Sequence, residues 1–149
     1  MRKTARLILS LLMILIILSV SVFGYGNTIY MYWDKPHAKM YSTEYTLSSM
    51  PVRYGKVTYI PVDDALKVCG FSLGWDSAVN AVTALKGNTF SYIIVNSNVL
   101  WKGEYKYTSP DSTMFFGDVF YMPMDMFEVL TDDKIIVSDF GALAKKGVR

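Results

Sequence analysis

The sequence predicts an α+β fold in which small antiparallel β-sheets wrap around two short α-helices, built from two imperfect repeats and preceded by an N-terminal hydrophobic signal or anchor helix. Three observations carry this. One phrase is written twice, 62 positions apart: Tyr54-Gly55-Lys56-Val57-Thr58-Tyr59-Ile60-Pro61-Val62-Asp63 returns as Phe116-Gly117-Asp118-Val119-Phe120-Tyr121-Met122-Pro123-Met124-Asp125. Elsewhere, runs of β-branched and aromatic residues alternate with Gly, Asn and Asp turn signals, as short strands do. At the start, Arg2, Lys3 and Arg6 precede a charge-free apolar run of 17 residues, 7–23.

The leader sets the context. A basic start, an apolar run and small residues after it describe a secretory signal, with cleavage placed after Gly24. The alternative is retention as an N-terminal membrane anchor, since 17 apolar residues lie at the short edge of a membrane span. Both place residues 25–140, one domain of about 115 residues, outside the cytoplasm, secreted or anchored at the cell surface.

Charge and cysteine content narrow the class. The chain of 149 residues has 15 Lys+Arg and 13 Asp+Glu, so removing the three basic residues of the leader leaves 12 against 13, a net of −1. No Lys/Arg cluster marks a nucleic-acid surface. Cys69 is the sole cysteine, so no internal disulfide forms, and a chain of this length holds a core without one. No Asn-x-Ser/Thr sequon occurs, so nothing points to eukaryotic secretion.

The elements follow in order. Residues 28–33 read as a strand, Asp34-Lys35-Pro36 as a break, and residues 37–41 as its partner. Residues 43–51 are polar and read as a loop. Tyr54-Gly55-Lys56 is a turn, 57–60 a strand, and Pro61 suits the first turn of a helix. Val62, Ala65, Leu66 and Cys69 fall at i, i+3, i+4 and i+7, giving an apolar helical face over 62–69. Asp63 and Asp64 stand in the first turn, and Gly70 fits the C-terminal cap. Strands follow at 71–75, 80–85, 89–95, 99–102 and 103–108, separated by Asp76-Ser77-Ala78, Lys86-Gly87-Asn88 and Asn96-Ser97-Asn98. Residues 109–112 form a loop. The second phrase then yields a strand at 119–122, a helix at 124–130, a turn at Asp132-Asp133 and a last strand at 134–138. Residues 141–149 read as a flexible, mildly basic tail.

This combination resembles the copper amine oxidase N-terminal-like (stalk) domain family. The residues that carry the likeness are Gly55, Val57, Tyr59, Ile60, Pro61, Leu66, Gly70, Trp75 and Asp76, half-matched by Gly117, Val119, Tyr121, Met122 and Pro123. The resemblance implies a small antiparallel sheet wrapped around helix, in exported proteins of Gram-positive bacteria. It assigns structural roles to Gly55, Tyr59, Pro61, Gly70, Trp75, Asp76, Gly117, Tyr121 and Pro123. The second copy departs from the pattern by lacking a glycine after its helix.

The chemistry points away from an enzyme. A copper site for amine oxidation needs several imidazoles, and the chain has only His37. Gly70-Phe71-Ser72-Leu73-Gly74 spells a nucleophile elbow, but that device needs a strand before the serine and a helix after it, and here the order is reversed. The Asp63-Asp64 and Asp132-Asp133 pairs lie outside any calcium-loop pattern and suit helix starts and turns. Cys69 lies on an apolar face, where a thiol is buried and inert. No cofactor is implied. The aromatics remain: Trp33 and Trp101 sit in comparable places before the two phrases, and Tyr105 and Tyr107 share one strand face. These four are the candidate ligand contacts, against the simpler account of cross-strand packing. The expected role is a non-catalytic extracytoplasmic binding or spacer module of the cell envelope, its partner a protein or a glycan. The alternative is a glycan- or peptidoglycan-binding module using exposed aromatics.

Overall fold

The computed structural model describes residues 26–140. The leader expected over 1–24 and the tail expected over 141–149 lie outside the described residues. Among the described residues no helix is long and apolar enough to cross a membrane.

The core organises three small sheets and two helices. The first sheet has the order β13-β1-β2-β3, from β1 (Thr28–Tyr32), β2 (His37–Met40), β3 (Thr43–Thr46) and β13 (Lys134–Ser138). The second has the order β11-β12-β5-β4, from β4 (Val52–Tyr54), β5 (Val57–Pro61), β11 (Met114–Phe116) and β12 (Val119–Pro123). The third is a five-stranded meander, β10-β9-β8-β7-β6, from β6 (Ser72–Asp76), β7 (Ala81–Lys86), β8 (Thr89–Ile94), β9 (Val99–Lys102) and β10 (Tyr105–Thr108). Helix α1 (Val62–Val68) packs on β5, β12 and β6, and α2 (Met124–Thr131) touches strands of all three sheets.

Both helices earn their place by periodicity. Val62, Ala65 and Leu66 of α1 and Met126, Phe127 and Leu130 of α2 are buried, and they join Ile29, Met31, Ile60, Ile93, Leu100 and Met122 in one cluster. Fully burying a side chain of this size contributes about 1.5–3 kcal/mol. Seven- and eight-residue helices are too short to persist alone, so this burial is what holds them.

The twice-written phrase has one local structure at both places. Gly55 and Gly117 carry φ of +61° and +63° in the two hairpin turns, a conformation glycine adopts without the cost of a Cβ. Each phrase then runs through a strand into a helix. The two strands pair with each other, antiparallel, with Ile60 opposite Met122, Pro61 opposite Tyr121 and Pro123 opposite Tyr59. The register is thus symmetric about the Ile60/Met122 pair.

Several expectations are corrected. The sheets are not all antiparallel: β1 and β13 pair in parallel, Thr28 beside Lys134 and Tyr32 beside Ser138. No short turn joins these strands, and the intervening chain acts as one long crossover, which parallel pairing requires. Residues 43–46 are not loop but β3, joined to β2 by a tight turn with Tyr41 at φ +56°. Polar alternation there disguised an exposed strand. β4 and β11 are also strands, the first arms of the hairpins that Gly55 and Gly117 turn. Pro61 and Pro123 are N-cap residues with extended backbone, closing their strands rather than opening the helices.

The helix ends differ in chemistry. Gly70 takes φ +84°; its N–H donates to the Lys67 carbonyl (3.0 Å) and the Phe71 N–H donates to the Leu66 carbonyl (3.0 Å), a Schellman cap. At the end of α2 the missing glycine is replaced by Asp132 at φ +59°, whose N–H donates to the Glu128 carbonyl (2.9 Å). Asp is among the residues that tolerate this region. Lys102 holds that end too, donating to the Val129 carbonyl and pairing with Asp132.

Candidate functional site

Two surfaces stand out, and the third sheet supplies a wall to both. Its strands alternate cleanly. Gly74, Thr83, Tyr92, Trp101 and Lys106 stand opposite one another across all five strands, on the outer face. Trp75, Val82, Ile93, Leu100 and Tyr107 form the adjoining row, on the face toward the helices.

The outer face carries a shallow apolar depression of about 430 Å³ lined by Val79, Tyr92, Ile94, Trp101 and Gly103. Phe90 meets the edge of Tyr92 with ring centroids 5.0 Å apart, and the Lys106 ammonium lies 5.8 Å from the Trp101 ring centroid. Phe90, Leu85, Val79 and Trp101 are all exposed.

A larger cleft of about 810 Å³ opens between α1, β6 and the β11–β12 hairpin. Trp75 and Phe115 stand in its walls, 53% and 47% exposed. Asp63, Asp64 and Asp118 line it against a single Lys67. Asp64 is engaged, its Oδ2 accepting from the Ser48 N–H and hydroxyl. Among the described residues, Asp63, Asp118 and Lys67 enter no ion pair.

The four candidate contact residues are not gathered on one face. Trp33 follows β1 in the first sheet, half-buried with the Arg53 guanidinium 5.0 Å from its ring centroid. Trp101 is on the outer face of the third sheet, while Tyr105 and Tyr107 fall on the opposite side of β10 by register. Tyr105 is exposed at that sheet's edge. Tyr107 is half-buried, and its hydroxyl donates to Asp125 Oδ2 at 2.8 Å, which pushes its pKa up to about 12. The cross-strand partner of Trp101 is Tyr92, a residue sequence reasoning passed over; strand parity across β8 and β9 was the signal that could have found it.

Of the motif residues, Tyr59, Pro61, Tyr121 and Pro123 are buried, and the Tyr121 hydroxyl donates to the Met50 carbonyl at 2.9 Å. Asp76 Oδ1 accepts from the Ala78 N–H at 2.9 Å and shapes the β6–β7 turn. Gly55, Gly70 and Gly117 are exposed at their turns, and Trp75 is exposed in the cleft wall, unlike the buried motif aromatics Tyr59 and Tyr121.

No copper centre fits these side chains. His37 is half-buried in β2, and among the described residues no three His, Cys, Asp or Glu come together to hold a metal ion. Ser72 opens β6 after a helix, opposite Leu85, and lacks the strand-then-helix geometry of a nucleophile elbow. Cys69 is buried; desolvation first, and the neighbouring Asp133 charge second, push its thiol up to about 12, so it stays protonated.

The described residues form a small, mostly β domain with two short helices, an open acidic cleft and an exposed aromatic sheet face. Residues 39–136, about two thirds of the chain, match the copper amine oxidase N-terminal domain, and the chain belongs to that family. That domain is a non-catalytic one. No curated protein and no solved structure matches the chain.

Proposed function

We propose that this chain is a non-catalytic binding or spacer module of the bacterial cell envelope, working outside the cytoplasm of a Gram-positive organism. The leader over 1–24 supports export, and its retention would tether the domain to the membrane. We also read the two strand-to-helix phrases as imperfect repeats of one unit closing over a shared core. The observation that carries the binding role is the exposed apolar outer face of the third sheet, where Trp101 and Tyr92 lie side by side over a depression beside Phe90 and Val79. Exposed contiguous aromatics on a rigid sheet mark interaction sites. No nucleic acid suits this surface.

Cell fractionation with mass spectrometry of the native N-terminus tests the location: recovery from the envelope or medium supports it, recovery from cytosol overturns it. Cross-linking in intact cells identifies the contacting protein, and Trp101→Ala is expected to abolish that cross-link.

A second reading, a glycan- or peptidoglycan-binding module, is favoured by one observation: the Trp101 ring borders an open apolar depression, as a sugar-stacking platform does. Sedimentation with purified cell wall, retained by the native chain and lost in Trp101→Ala, selects this reading over a plain spacer.

A further inference from the structure

We propose that the cleft beside α1 binds an extended, lysine- or arginine-bearing peptide segment of a partner protein, which adds a strand to the free edge of β6. This is a different surface from the aromatic outer face, and it stands or falls separately.

The argument begins with the sheet edges. Among the described residues the three sheets end in six edge strands: β13 and β3, β10 and β6, β11 and β4. Natural sheets blunt such edges with charged side chains, because bare main-chain N–H and C=O groups recruit other strands. Four edges here follow that rule, with Lys134 in β13, Glu44 in β3, Lys106 in β10 and Arg53 in β4. The remaining two, β6 and β11, face the cleft. β11 reads Met114-Phe115-Phe116 and has no charge. β6 reads Ser72-Leu73-Gly74-Trp75-Asp76, and its one carboxylate is turned into the following turn by its bond to Ala78. Neither contains proline. Gly74 is exposed and has no side chain, so what it offers the cleft is main chain.

The cleft's size and charge then select the occupant. Strands pair about 4.8 Å apart, and a five-residue partner for β6 is about 17 Å long. A volume of about 810 Å³ is in the range of ligand clefts. Three carboxylates face one ammonium, so the cleft is acidic, and Asp63 and Asp118 await a counter-charge. Trp75 and Phe115 offer ring faces, on which the cationic head of Lys or Arg rests favourably while the intervening side chains cover apolar surface. Main-chain pairing would supply affinity and the alternating side chains specificity. A neutral glycan would stack on the aromatics and donate hydroxyls to the carboxylates, but it would leave the strand edge unpaired and the net negative charge uncompensated.

The probe is a fluorescent eight-residue peptide alternating Lys with Val and Thr, titrated by anisotropy against the full chain in mild detergent. Its comparators are the same peptide with Glu for Lys, the same peptide N-methylated at alternate amides in each register, and a chito-oligosaccharide. The Lys peptide is expected to bind at least about tenfold more tightly than the Glu peptide. One N-methylated register should lose binding. Trp75→Ala and the double variant Asp63→Asn/Asp118→Asn should each weaken binding about tenfold, while Trp101→Ala leaves it unchanged. The isosteric Asn variants guard against a folding artefact, and thermal melts verify every variant. The proposal is overturned if the Lys peptide fails to bind, if Lys and Glu peptides bind alike, if neither N-methylated register matters, or if the oligosaccharide displaces the peptide through Trp75. Wall sedimentation through Trp101 is unaffected by any of these outcomes.

Discussion

Ile60 and Met122, separated by 62 positions in the chain, lie directly opposite each other on neighbouring antiparallel strands, and both are fully buried. Each is followed by a proline and then a helix, so one contact fastens both strand-to-helix segments. Each proline stands opposite the other segment's tyrosine, where Tyr59 and Tyr121 are also buried.

Truncating either member of that pair should be costly. Ile60→Ala and Met122→Ala are each expected to lower unfolding stability by about 2–5 kcal/mol. Because they share one space, the double variant should depart from additivity by at least about 0.5 kcal/mol. Urea denaturation of the four members of the cycle measures this.

Gly70→Ala is expected to destabilise by about 1–2 kcal/mol, since alanine must take φ +84° to keep the two cap bonds. Gly55→Ala imposes the same kind of strain at φ +61° without touching a helix end, so loss of helical ellipticity should separate the two. Circular dichroism during thermal unfolding reads both.

Asp133 is buried, with Oδ1 accepting from the Asn27 N–H at 2.9 Å and Oδ2 left without a partner. Desolvation raises its pKa in the folded state. A carboxyl raised in this way stabilises the fold most when protonated, below its unfolded value near 4, and that contribution fades as pH rises through the folded value. Asp133→Asn keeps the Oδ1 acceptor and removes the charge. The variant should therefore melt at or above the native chain at pH 7, and its advantage should shrink toward pH 4. A melting series across that interval checks the sign.

Tyr107→Phe should cost about 0.5–1.5 kcal/mol through loss of the bond to Asp125. The native hydroxyl, pushed up to about 12 chiefly by that bond, stabilises the fold below its ordinary value of about 10 and ceases to do so as pH rises through 12. Ultraviolet titration should show the late phenolate vanish in the variant. Wall or peptide binding is expected not to change, since this hydroxyl is already engaged with Asp125.

Both helices, the hairpin turns at Gly55 and Gly117 and most strands of the meander were legible, because helical spacing and glycine at positive φ are local facts. β3, β4 and β11 were not. Their residues are largely exposed, so little hydrophobic alternation marks them, and only their partners define them as strands. The exposure of Trp75 was hidden for a related reason. It lies on the same sheet face as Val82 and Ile93, but on the edge strand, where a cleft opens instead of core.

The sequence by itself determined two strand-to-helix segments, a single inert thiol and too few imidazoles for copper, since each of these follows from residue identity and short-range spacing. Tertiary structure alone decided that the two segments pair with each other, that β1 and β13 run parallel, and that two strand edges with no lysine or arginine meet at an acidic cleft. Those outcomes depend on which distant surfaces come together, and side-chain order along the chain encodes such long-range juxtaposition only through the packing of the whole core.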